Sequence, residues 1–133
     1  MQDQQHQQNT ASPQPLGMKR SFGFGDRLGL ATPGHIDAVR GSSFSPIFAQ
    51  QSIRELKRTG RNPAEVLDSA SRSVAGEQWT APWGADADHL KTREDIERFA
   101  SEGYTFFTID PSEYVRNDAD RLAEHDLDAA CAI

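Results

Sequence analysis

The sequence predicts an α/β fold of partial TIM-barrel-like (β/α) repeats, amounting to about half of a (β/α)8 barrel. Three observations point there. Strand-like and helix-like segments alternate along the chain, the pattern of parallel βαβ units. The helical segments open on residues suited to capping a helix. The 133 residues supply roughly four βα units, whereas a closed barrel takes about 250 residues.

Residues 1–17, MQDQQHQQNTASPQPLG, have six Gln among the first fourteen positions, and two prolines at 13 and 15. Such a stretch buries too little apolar area to offset its ordering entropy. It reads as a disordered Gln/Pro-rich tail, and no ligand role is expected of His6 within it. Residues 18–133 read as the N-terminal part of a barrel-like α/β domain that continues past Ile133. Order is expected from about Ser21. Phe22, Phe24, Leu28 and Leu30 alternate as in a strand, which Thr32-Pro33-Gly34 should stop. IDAVRG then gives about one helical turn.

The second strand is expected at Ile47–Ala49, with Pro46 at or before its start because proline cannot donate to a ladder. Ser52 and Glu55 have the spacing of a capping box, and Gly60 is a stop. Asn62, Pro63 and Glu65 open a further helix with Val66, Leu67, Ala70 and Val74 as its apolar stripe. WGADADHL is a short candidate strand. Thr92 then caps a helix with Ile96 and Phe99 on its inner face, with Asp95 expected to reach back to it. YTFFTIDP is strongly strand-like, being aromatic and β-branched up to Asp110-Pro111. A weak helix is expected around residues 118–130.

An open nucleotide-binding sheet calls for G-x-G-x-x-G after its first strand. Gly23, Gly25 and Gly29 give a longer spacing and no helix opens on them, which disfavours that alternative. Half a barrel would expose two sheet edges and one uncovered face, an arrangement that invites association, including homo-oligomers.

The net charge of -6 argues against non-specific binding to nucleic acid or anionic membranes. The charge is uneven, with seven acids against two arginines from Asp110 to Ile133. The single cysteine, Cys131, excludes an internal disulfide and suggests a reducing, cytoplasmic setting. No apolar run approaches a membrane span or a secretory signal.

In parallel α/β folds, ligands bind at the C-terminal ends of the strands. That rule nominates Thr32 and His35 after the first strand, Gln50 and Gln51 after the second, Asp86 to His89 after the third, and Asp110 after the fourth. Asp86 and Asp88 share one face of a strand; Asp88 and His89 both face the mouth only if the chain turns there. Imidazole and carboxylate suit Zn, Mn or Fe, but one His and two Asp do not complete a site. The same residues equally suit a solvated turn capping the next helix. The amides of Gln50 and Gln51 suit sugar hydroxyls, Asp110 before Pro111 suits a turn, and Asp26-Arg27 suits either an ion pair or a bound carboxylate.

Four segments taken together, SFGFGDRLGLATPGHIDAVRG, PIFAQQSIRELKRTGRNPAEVLDSA, GADADHLKTREDIERF and GYTFFTIDPSEYV, resemble the tagaturonate/fructuronate epimerase family from about Ser21 to Val115. The resemblance implies a metal-dependent isomerase of hexuronate metabolism. Such an enzyme interconverts D-tagaturonate and D-fructuronate on a barrel-like fold. It implies Asp88 as proton acceptor and His89 as one ligand of a divalent cation, with Zn, Mn, Fe, Ni or Co as candidates. His35, Gln50, Gln51, Asp86 and Asp110 remain substrate-binding candidates. Family members are several times longer, so the remaining ligands and the proton donor are expected beyond Ile133, and these residues alone are not expected to be active. The competing readings are another barrel aldolase or isomerase, and a non-catalytic carbohydrate-binding or vestigial α/β module.

Overall fold

The computed structural model describes residues 12–131. Four strands, β1 (Ser21–Gly25), β2 (Ser45–Ser52), β3 (Gly84–Leu90) and β4 (Phe106–Ile109), form one sheet in the order β1-β2-β3-β4. Every pairing is parallel. The order never reverses, so the sheet lacks the switch point at which open doubly wound sheets bind dinucleotides. The connections carry helices α1 (Thr32–Val39), α2 (Ile53–Thr59), α3 (Pro63–Gly76) and α4 (Arg93–Glu102). A 3-10 turn at Ala119–Arg121 and helix α5 (Glu124–Cys131) follow β4.

The helix starts follow the local chemistry of the sequence. At α2 the Ser52 Oγ accepts from the Glu55 N–H, and the Ser52 N–H donates back to Glu55 Oε2. Asn62 and Glu65 form the same reciprocal pair at α3, with Pro63 in the first turn. Each pair satisfies two donors that a helix end would otherwise leave orphaned. At α4 only one half forms: Thr92 Oγ1 accepts from the Asp95 N–H.

Three boundaries differ from the expectation. The Thr32-Pro33-Gly34 run opens α1 instead of stopping a strand, because proline tolerates the first helical turn, where its missing N–H has no partner to lose. β1 stops at Gly25 because Asp26 captures the backbone that follows. Its Oδ1 accepts from the N–H groups of Leu28, Gly29 and Leu30, and its Oδ2 accepts from Ala31. Leu28 and Leu30 therefore stand exposed in a loop rather than in a strand. Gln50, Gln51 and Asp86 to His89, expected just past their strands, lie within β2 and β3.

Order also begins before Ser21. The Gln14 N–H donates to the Trp83 carbonyl at 2.9 Å, and the Leu16 side chain is buried beside Gly84. Residues 1–11 of the Gln-rich stretch, His6 included, lie outside the described residues.

The core occupies one face of the sheet. Phe48, Ala85, Ala87 and Leu90 from the strands form one buried cluster with Ile36 of α1, Leu56 of α2, Val66, Ala70 and Val74 of α3, and Phe99 of α4. Trp83 and Tyr104 close its lower end, and the Tyr104 hydroxyl donates to the Pro63 carbonyl. Side chains alternate along a strand, so the residues between these core positions point to the opposite face.

Candidate functional site

Two backbone irregularities decide which side chains reach that opposite face at the C-terminal ends of β2 and β3. Ala49 has φ 59° and His89 has φ 55°, left-handed values that β-carbon sterics disfavour. Each coincides with a register shift, between Phe48 and Gln51 in β2 and between Ala87 and Leu90 in β3. These are β-bulges, which re-aim the side chains beyond them.

In β2 the bulge separates two adjacent glutamines. Gln50 lies over Gly23 and Gly25 of β1, where absent side chains leave it room. Its carboxamide hydrogen-bonds the Asp86 carboxylate. Gln51 points the other way. Its Nε2 donates to the Arg27 carbonyl at 2.8 Å and its Oε1 accepts from Arg61. Gln51 thus ties the β1–α1 loop to the sheet, apart from the Asp86 face.

Asp86 is 1% exposed and accepts from Thr108 Oγ1 at 3.0 and 3.1 Å. Burial raises its pKa to about 6, with the neighbouring Asp88 charge adding to the rise while the Thr108 and Gln50 hydrogen bonds oppose it. Asp88 follows on the same face, across from Ser52 of β2. The bulge turns His89 back, placing its Nδ1 2.8 Å from Asp88 Oδ1. At that separation Nδ1 is within hydrogen-bond reach of the carboxylate, which orients the imidazole, as such partners do for metal-bound histidines.

Two clefts flank this pair. One of about 700 Å³ runs between α2 and the ends of β3 and β4, lined by Ser52, Arg54, Lys57, His89, Lys91 and Asp110 among others. A second, about 230 Å³, opens toward β1 and is lined by Arg27, Gln50, Ser52, Arg54, Asp88 and His89 among others. In the larger cleft Asp110 accepts the Ser112 N–H, which together with Lys91 at 3.5 Å holds its carboxyl below the ordinary range. Lys91 also contacts Glu113.

Of the sequence candidates, the fold brings together Gln50, Asp86, Asp88 and His89, with Asp110 across the larger cleft. It does not bring His35, which stacks on Phe24 with ring centroids 4.9 Å apart at α1, nor Gln51. Thr108 and Arg54 were not singled out in the sequence. The signal for Thr108 is a hydroxyl placed between Phe107 and Ile109 in an otherwise apolar strand. For Arg54 it is a cation directly following the strand-end Ser52 and Ile53.

Asp88 and His89 match a divalent transition metal in donor type. They do not match in number. Among the described residues no three His, Cys, Asp or Glu side chains are placed to hold a metal ion.

The model of the tagaturonate epimerase family matches residues 3–132. A curated tagaturonate/fructuronate epimerase of Thermotoga maritima is 53% identical over 105 residues, which is 79% of this chain and 22% of that protein. Crystal structures of fructuronate-tagaturonate epimerase UxaE from Cohnella laeviribosi, one native and one complexed with a glycerol, superpose with TM-score 0.82 at 45% identity. Each comparison covers 90% of this chain and 25% of that one. The chain therefore spans about a quarter of the length of these relatives. With the family model matched almost end to end, and with the fold shared at this identity, the chain belongs to the tagaturonate epimerase family.

Proposed function

We propose that this chain forms one wall of the active site of an enzyme that interconverts D-tagaturonate and D-fructuronate. The observation that carries the proposal is the Asp88–His89 pair, held at 2.8 Å on the bulged end of β3 and opening on two clefts. The sheet is read as a four-strand sector of a (β/α)8 barrel. Its sequential parallel order, its helices on one face and its polar Gln50, Asp86 and Asp88 on the other support that reading.

The two sugar acids differ at a hydroxyl-bearing carbon one removed from the ketone. Simple proton abstraction beside the carbonyl does not reach that centre. In the proposed mechanism Asp88 takes the proton of that hydroxyl. The carbon–carbon bond toward the ketone then breaks, its electron pair passing to an enediolate while the former hydroxyl carbon becomes an aldehyde. The enediolate re-adds to the other face of the aldehyde, and Asp88 returns the proton to the new alkoxide. The configuration is inverted and no atom is lost. A divalent cation, with His89 Nε2 as one proposed ligand and others from outside the described residues, supplies Lewis-acid polarisation of the ketone when bound. Gln50, beside Asp86 on the same face, is proposed to bind substrate hydroxyls.

The test is epimerisation of D-tagaturonate followed by NMR, using the protein made from its complete reading frame. Asp88→Asn keeps the shape of the site and removes the base, so the rate is expected to fall about 10²- to 10⁴-fold. A wild-type protein inert toward both ketohexuronates, or an Asp88→Asn variant of full activity, overturns the proposal.

A further inference from the structure

The chemistry above leaves one part of a hexuronate unaccounted for, namely its carboxylate. A carboxylate taken from water into a cleft needs a partner of opposite charge. The cleft beside Asp88 and His89 contains two arginines, Arg27 after β1 and Arg54 after β2. Its acidic residues are committed elsewhere. Asp26 accepts four backbone N–H groups of its own loop. Glu55 accepts from the Ser52 N–H and from Arg54 Nε. Burial works to raise the Glu55 pKa, but the Arg54 and Ser52 bonds outweigh it and hold the carboxyl below its usual range. Asp88 holds His89.

The arginines are the uncommitted charges. Arg54 spends only Nε on Glu55, so its two terminal nitrogens have no protein partner among the described residues. Arg27 has no side-chain partner among the described residues, and its backbone is fixed by the Asp26 turn and by the Gln51 bond to its carbonyl. The other cations nearby fit less well. Lys91 is already held between Asp110 and Glu113. Lys57 and Arg58 line only the larger cleft. A guanidinium presents a planar fork that matches the two oxygens of a carboxylate, and two forks across one small cleft fix a six-carbon acid at one end. The cleft of about 230 Å³ suits a ligand of that size, just below the range of drug-sized sites.

We propose that Arg27 and Arg54 receive the carboxylate of the sugar acid in the cleft beside Asp88 and His89, and so select ketohexuronates over neutral ketohexoses. The proposal rests on the epimerase reading.

The test compares wild type, Arg27→Gln, Arg54→Gln and Arg54→Lys, each made from the complete reading frame. Each is assayed on D-tagaturonate and on D-tagatose, the corresponding sugar with a hydroxymethyl group in place of the carboxylate. Loss of a charge-assisted bond is expected to raise KM for the uronate about 10- to 100-fold in each Gln variant, with kcat changed less than about threefold. Arg54→Lys keeps the charge without the fork and is expected to recover part of the loss. Efficiency on the neutral sugar should stay within about twofold of wild type, which a merely structural role for the arginines would not produce. Wild-type activity with unchanged uronate KM in both Gln variants overturns the carboxylate assignment alone. Equal losses on both sugars also overturn it. Wild type inert on the uronate overturns the epimerase reading and this inference with it.

Discussion

Asp86→Asn is expected to stabilise the fold at neutral and alkaline pH, with a characteristic pH profile. Asp86 is 1% exposed and its pKa lies at about 6 rather than 3.8. A raised carboxyl pKa means the native state binds the proton more tightly than the unfolded chain does. The resulting stability is fully present below about pH 3.8 and is lost as pH rises to about 6. At about 1.4 kcal/mol per unit, the shift corresponds to about 3 kcal/mol withheld from the native state above pH 6. Asparagine keeps an oxygen to accept from Thr108, and its amide can donate to the Gln50 carboxamide once that group is flipped. The variant should therefore match wild type near pH 4, gain steadily to pH 6, and remain about 2–3 kcal/mol more stable at pH 8. Urea denaturation of both proteins at half-unit intervals of pH, followed by circular dichroism, measures this directly. Parallel stability profiles from pH 4 to pH 8 would refute the reasoning, since Asp86 would then titrate alike in both states.

Other perturbations test the parts of the site separately. Asp26→Ala removes the acceptor for four N–H groups and should cost about 2–3 kcal/mol in urea melts, with faster amide exchange across residues 27–31. Gln51→Leu leaves the Arg27 carbonyl without its donor and should destabilise by about 1–2 kcal/mol, again read by urea denaturation. His89→Gly relieves a left-handed backbone and is expected to raise stability by on the order of 1 kcal/mol, read by urea denaturation. Phe99→Ala empties a fully buried site between α4 and the sheet and should cost about 3–5 kcal/mol.

What the sequence determined by itself was mostly local. The starts of α2, α3 and α4 were legible because a cap is made between residues three apart, so Ser52 with Glu55, Asn62 with Glu65, and Thr92 with the Asp95 N–H carry their own geometry. The alternation of elements announced parallel pairing, and the rule of polar strand ends nominated Gln50, Asp86, Asp88 and His89, which the fold brings onto one face. Tertiary structure decided what depends on a neighbouring strand. Whether Gln50 or Gln51 faces Asp86 turns on the bulge at Ala49, whose register is set against β1 and β3. Whether His89 meets Asp88 turns on the corresponding bulge in β3. His35 followed the positional rule and still went to the helix layer, because α1 begins at Thr32 and carries it onto Phe24. Leu16 sits in a stretch of low complexity, and only the cavity beside Gly84 gives it a place to be buried. Side-chain type travels with the sequence, whereas the face on which a side chain lands depends on pairing registers and bulges formed with residues tens of positions away.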